Sequence, residues 1–158
     1  MDKSAIILHL VGIAAVTVLV FVLIVLVQYE VMYSYVVPYA GTSLDVWVDD
    51  FVISAQWGAG ITAVLVIIWY SLGQWVLKVT SWGNGGKRVL WALFGIAAIA
   101  VSLGIGLYMT ERTQGGGELA WGFYLLNPIL LYYLATLLFS PTAYKYTAPL
   151  AVYARRWR

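Results

Sequence analysis

Four long apolar segments restrict what this chain can fold into. They are Ala5–Val27, Phe51–Leu77, Val89–Met109 and Leu119–Phe139, and none of them contains Asp, Glu, Lys or Arg. The hydrocarbon core of a bilayer is about 30 Å thick, and a helix of about 20 residues crosses it. Lipid offers no hydrogen-bond partner to the backbone of an isolated strand, so each segment is expected to be helical. The sequence therefore predicts an all-α integral membrane protein, a single four-helix transmembrane domain over residues 1–158.

The composition agrees with this interpretation. Hydrophobic residues make up 63% of the 158 residues and charged residues 10%, and the mean hydropathy is +0.87. A soluble domain of this length needs more charged surface than these residues supply. The first apolar segment is too long for a signal peptide and is followed by no A-x-A-like cleavage site, so we expect it to be retained.

The charges are distributed unequally between the two sides of the four segments. Eight of the nine basic residues fall on one side: Lys3, Lys78, Lys87, Arg88, Lys145, Arg155, Arg156 and Arg158. Six of the seven acidic residues fall on the other side: Glu30, Asp45, Asp49, Asp50, Glu111 and Glu118. Basic residues in short loops mark the cytoplasmic side of a membrane protein. The pattern predicts a multi-pass protein of the cell (inner) membrane with both termini in the cytoplasm.

Small residues spaced by four mark the faces on which membrane helices pack closely. Two such rows are candidate contact sites: Ala55, Ala59 and Ala63 in the second segment, and Ala98, Ser102 and Gly106 in the third. A further row in the third segment contains Ala100 and Gly104. These rows face either other helices of the same chain or another protein, including a second copy.

The pair Asn127-Pro128 lies near the middle of the fourth segment. Proline has no backbone N–H, so it leaves the carbonyl of Tyr124 without its helical hydrogen bond and predicts a kink. Asn127 brings an amide to bilayer depth, where it needs a partner on another helix. The pair is predicted to be either a packing kink or a hinge and partner-recognition point.

The acid-rich segment Gln28–Asp50 is rich in Tyr and Val and shows no strong helical period. We expect it to lie along the membrane surface. Asp49 and Asp50 are predicted to cap the start of the second helix, where carboxylates complement the helix dipole. A calcium site at Asp45, Asp49 and Asp50 is the alternative, since calcium prefers oxygen ligands.

The tail, residues 142–158, is predicted to form a short amphipathic interfacial helix. Leu150, Tyr153, Ala154 and Trp157 recur at helical spacing beside three arginines. Such a helix binds anionic lipid headgroups or docks on a cytoplasmic partner. Its candidate contact residues are Lys145, Arg155, Arg156, Trp157 and Arg158.

Residues that carry chemistry are scarce in this sequence. It contains no cysteine and a single histidine, His9, so thiol chemistry and bis-histidine haem binding are excluded. Apart from His9, no ionisable residue is expected at bilayer depth, where ion-coupled transporters place them. We expect no catalytic residue, no cofactor, no metal and no nucleic-acid partner.

One segment carries a family resemblance. The fourth apolar segment ends in Leu138-Phe139-Ser140-Pro141-Thr142-Ala143-Tyr144-Lys145, and a basic tail follows. This resembles the end of the immunity proteins that protect bacteria from pore-forming colicins of the A type, which are four-helix inner-membrane proteins with both termini in the cytoplasm. The resemblance covers this segment and the topology, and it assigns no functional residue.

The leading hypothesis is a non-catalytic protein that acts by helix–helix contact as an accessory or assembly subunit of a larger bacterial membrane complex. Leu at Ser102 or Gly106 is then expected to break assembly. The alternatives are an immunity protein against a membrane-active toxin and an oligomeric channel or carrier for neutral molecules.

Overall fold

A computed structural model describes residues 3–35, 43–76, 83–113, 118–140 and Ala148. All of its elements are helices: α1 (Lys3–Leu23), a π-helical turn (Ile24–Gln28), α2 (Tyr29–Tyr35), α3 (Leu44–Ser71), a second π-helical turn (Leu72–Val76), α4 (Asn84–Thr113) and α5 (Glu118–Leu138). Four helical stretches are long and apolar enough to cross a membrane: Lys3–Tyr35, Leu44–Trp75, Gly85–Tyr108 and Leu119–Leu138. The prediction of an all-helical chain with four such helices is confirmed for the described residues.

Two helices are the centre of the bundle. α3 and α5 contact each other, and each of them also contacts α1 and α4. α1 and α4 therefore flank the α3–α5 pair. Buried residues recur in α3 every seven positions, at Val48, Ala55, Thr62 and Trp69. This period keeps one face of α3 turned toward its neighbours along its whole length.

The described part of the segment Gln28–Asp50 is helical, although its sequence shows no strong helical period. The first apolar helix continues through the π-helical turn and α2 to Tyr35, and the second begins at Leu44. Met32 and Val48 are fully buried where α2 packs against the start of α3. Short helices rich in Val and Tyr are weak on their own, so this contact stabilises a structure that the local sequence does not predict.

The predicted capping role of Asp49 and Asp50 is wrong. Ser43 is the N-cap of α3, with extended backbone, and its side chain accepts a hydrogen bond from the backbone N–H of Val46 at 3.4 Å. Asp45 is the acidic residue of the first turn. Because α3 begins at Leu44, Asp49 and Asp50 lie more than a turn inside the helix.

The first π-helical turn decides which residues of the first helix face the bundle. Val20, Ile24, Gln28 and Met32 are all buried, at a constant spacing of four residues. In a regular α-helix this series would rotate by about 120° around the axis over three steps. A π-helical turn has more residues per turn and offsets the rotation. Gln28 is thereby kept on the inner face.

Candidate functional site

Two buried amides connect the first long helix to the last. Gln28 Nε2 donates to Asn127 Oδ1 at 2.6 Å, and Asn127 Nδ2 donates to Gln28 Oε1 at 3.0 Å. Both side chains are at least 96% buried. Each amide thus supplies one donor and one acceptor to the other, which satisfies polar groups that lipid cannot satisfy. Gln28 is therefore the partner on another helix that the sequence analysis predicts for Asn127.

The carbonyl freed by Pro128 also has a partner. Ser102 Oγ of α4 donates to the carbonyl oxygen of Tyr124 at 2.7 Å, and Ser102 is 1% exposed. The same hydroxyl lies against Gly58 of α3, where an added Cβ would be 2.9 Å from Oγ. One serine therefore replaces the backbone donor that proline lacks, at a point where three helices meet.

Tyr124 itself is held on several sides. Its hydroxyl lies 2.5 Å from Ser54 Oγ, and Ser54 Oγ lies 2.8 Å from the carbonyl oxygen of Phe51. Because Ser54 donates its proton to that carbonyl, the Tyr124 hydroxyl is the donor in the first contact. The ring packs edge-on against Phe51 at 5.5 Å between centroids, and a Cβ added at Gly106 would lie 2.6 Å from its Cδ2.

A second group of contacts joins α4 to α5 near the basic side of the bundle. Trp91 Nε1 donates to Thr136 Oγ1 at 2.9 Å, and the Tyr132 hydroxyl donates to the carbonyl oxygen of Trp91 at 2.7 Å. Gly95 makes room for the Tyr132 ring, since an added Cβ would lie 3.2 Å from it. Paired polar side chains therefore fix the register of these two helices at both ends.

His9 lies at the basic end of the bundle. Its Nδ1 is 3.2 Å from the hydroxyl of Tyr70, and its ring packs edge-on against Tyr70 and Phe139. The histidine is half-buried among these aromatic rings. Its described contacts join α1, α3 and the end of α5.

The small-residue rows divide between the inside and the outside of the bundle. Ala100 and Gly104 of α4 are exposed, and a Cβ added at Gly104 meets nothing within 4 Å. The candidate residues of the other rows, and the proline, are buried or half-buried within the chain: Ala55, Ala59, Ala63, Ala98, Ser102, Gly106 and Pro128. The tail candidates lie outside the described residues: Lys145, Arg155, Arg156, Trp157 and Arg158.

Sequence reasoning missed Gln28 and Ser54 as contact residues. The sequence predicts Gln28 at the start of a surface segment, because a spacing of four from Val20 and Ile24 does not keep a residue on the inner face of a regular α-helix. Nothing in the local sequence distinguishes Ser54, because its role depends on a tyrosine 70 residues away.

The aspartates of the acid-rich segment do not assemble with other ligands. In the part of the chain that the structure describes, no three His, Cys, Asp or Glu side chains form a group suited to a metal ion. Asp45, Asp49 and Asp50 all lie on one helix, α3.

No known protein family, curated protein or solved structure matches this chain.

Proposed function

We propose that this chain is a non-catalytic multi-pass protein of a bacterial inner membrane and that it acts by helix–helix contact, as an accessory or assembly subunit of a larger membrane complex. The observation that supports this is the outward-facing row of Ala100 and Gly104 on α4. Small residues four apart let a second helix approach closely in lipid, where van der Waals contact drives association. This row has no described neighbour at Gly104, so it is open to a helix of another protein.

The hydrogen bonds inside the bundle support the proposal that the buried polar side chains hold the helices together. Most of the described buried polar side chains form hydrogen bonds within the chain: Gln28, Ser54, Thr62, Ser102, Asn127, Thr136 and Ser140. A catalytic or transport site leaves polar groups facing a substrate. Five of these side chains bond to another helix, whereas Thr62 and Ser140 bond to carbonyl oxygens of nearby residues in the same part of the chain, and bonds between helices are the arrangement expected of a rigid scaffold.

Insertion and orientation are part of the proposal. Eight of the nine basic residues lie on one side of the four apolar helices and six of the seven acidic residues on the other, which supports cytoplasmic N- and C-termini. The proposed partners are other integral membrane proteins or a second copy of this chain. Anionic lipid headgroups are the proposed partners of the basic tail.

The test is extraction of the tagged protein from its native membrane in mild detergent, followed by identification of everything that co-purifies. We expect a stoichiometric set of other membrane proteins, which Ala100→Leu and Gly104→Leu remove. Ala15→Leu is the matched control, because Ala15 is an exposed alanine on α1. Leu at Ser102 or Gly106 is a poor test, since it would collide with residues inside the chain.

The outcomes separate the proposal from its alternatives. If both α4 variants retain every partner, the row Ala100–Gly104 is not the interface. If the unmodified chain purifies alone or as a homo-oligomer, the accessory-subunit proposal fails. An immunity protein would then be tested by protection of a toxin-sensitive strain, and a neutral channel by flux into liposomes.

A further inference from the structure

An open groove runs between α3 and α4 at the acid-rich end of the bundle. Its volume is about 440 Å³, and most of its lining is apolar. Ile53, Ile61 and Ile105 form its body, with Trp57 and Tyr108 at its sides. Trp57 is 66% exposed and Tyr108 57% exposed, so both rings border the outer surface of the bundle.

The groove has one charged residue, Asp50, at its outer end. Asp50 is half-buried and lies on α3 one residue before Phe51. No Lys or Arg lines the described groove. A carboxylate at the headgroup level of a membrane can accept charge-assisted hydrogen bonds from a cationic group. The groove therefore combines an apolar body with a negative end.

The length of the groove corresponds to one leaflet. Asp50 and Ile61 are 11 positions apart on a continuous helix, a rise of about 16 Å. Half of the hydrocarbon core is about 15 Å. A phospholipid with its headgroup beside Asp50 would thus place an acyl chain along the isoleucines as far as the bilayer midplane.

We propose that this groove binds one phospholipid with a primary ammonium headgroup, phosphatidylethanolamine, from the leaflet on the acid-rich side. The ammonium donates hydrogen bonds to the Asp50 carboxylate, and one acyl chain packs against Ile53, Ile61 and Ile105. Charge complementarity selects this headgroup over phosphatidylglycerol, which carries a negative charge and no cation. The inference rests on the membrane insertion proposed above.

The test is native mass spectrometry of the purified full chain in mild detergent, equilibrated with equal amounts of phosphatidylethanolamine and phosphatidylglycerol. We expect one bound phosphatidylethanolamine per chain. Asp50→Asn should lower this binding about tenfold through loss of a charge-assisted contact, and Asp50→Glu should restore most of it. Asp49→Asn is the matched control, because Asp49 is exposed and does not line the groove.

A second variant tests the apolar body of the groove. Ile105→Trp fills it and should remove the bound lipid without changing the helical content measured by circular dichroism. Equal binding of the two lipids, or full retention of phosphatidylethanolamine by Asp50→Asn or by Ile105→Trp, would overturn the proposal.

Asp50→Asn separates this inference from the partner proposal. It should leave the co-purifying membrane proteins unchanged, because Asp50 lies on α3, whereas Ile105 and Tyr108 of the groove lie on α4 beside Gly104. Loss of partners with retained lipid contradicts only the accessory-subunit proposal, whereas loss of lipid selectivity with retained partners contradicts only the lipid site.

Discussion

Gln28 and Asn127 are 99 positions apart in the chain, and their side-chain amides exchange two hydrogen bonds inside the bundle. This reciprocal contact connects the π-helical turn of the first helix to the residue before the proline of the last. The contact therefore joins a site of irregular hydrogen bonding in the first long helix to the proline site in α5. The contact is therefore expected to fix the relative position of α1 and α5.

The amide pair predicts a specific pattern of stabilities. Asn127→Leu leaves the Gln28 amide buried without its partner and should lower the free energy of unfolding by about 1–2 kcal/mol. Gln28→Leu should have a similar effect. The double variant should lose less than the sum of the two, because no unpaired amide remains. Reversible unfolding in mixed micelles measures all four proteins, and strictly additive losses would show that the pair is not coupled.

The hydrogen bond from Ser102 to the Tyr124 carbonyl oxygen predicts that Pro128→Ala will offset the stability lost in Ser102→Ala. Ser102→Ala removes the donor to the Tyr124 carbonyl oxygen and should lower the free energy of unfolding by about 1–2 kcal/mol. Pro128→Ala supplies a backbone N–H that reaches the same carbonyl. The loss caused by Ser102→Ala should therefore fall close to zero when Pro128→Ala is already present.

The same unfolding assay measures this double-mutant cycle. Ser140→Ala is a control, because the Ser140 hydroxyl, two residues after the end of α5, donates to the carbonyl oxygen of Thr136 and not to that of Tyr124. If Ser102→Ala is equally damaging with and without the proline, the hydroxyl acts through packing against Gly58 and not through the carbonyl.

Two glycines on α4 should respond oppositely to alanine. A Cβ at Gly106 would lie 2.6 Å from the Tyr124 ring, which is itself held by Ser54 and Phe51, whereas a Cβ at Gly104 meets nothing within 4 Å. Gly106→Ala should lower the free energy of unfolding by about 1–3 kcal/mol through overpacking. Gly104→Ala should leave it unchanged or raise it by up to about 1 kcal/mol, because alanine favours the helix. Equal effects at the two positions would contradict the packing of Tyr124 against Gly106.

Some of these relationships were readable in the sequence. The absence of charges in four apolar segments was enough to predict four long helices. Pro128 was enough to identify the Tyr124 carbonyl as the group left without a donor. Both inferences depend only on the local sequence, so they can be made without knowledge of the fold.

Other relationships depend on tertiary contacts and were not readable. α3 contacts α2 and begins at Leu44, so Asp49 and Asp50 lie inside the helix and not at the predicted capping position. The inward direction of Gln28 depends on a π-helical turn, for which the sequence carries no local signal. The choice of Ser102 as donor depends on the register of α4 against α5. Each of these features is set by packing between neighbouring helices, which helix propensity and charge pattern do not predict.

The natural absence of cysteine gives a clean test of orientation. Ser34 is exposed on α2 at the acid-rich side, and Gly85 is exposed at the start of α4 on the basic side, with open space for a side chain. In intact cells, a membrane-impermeant maleimide should label Ser34→Cys and spare Gly85→Cys, because basic loops stay in the cytoplasm. Both variants should be labelled after the membrane is permeabilised, and the cysteine-free parent should give no signal in either case. Labelling of Gly85→Cys alone in intact cells would reverse the proposed orientation and would place the Asp50 groove in the cytoplasmic leaflet.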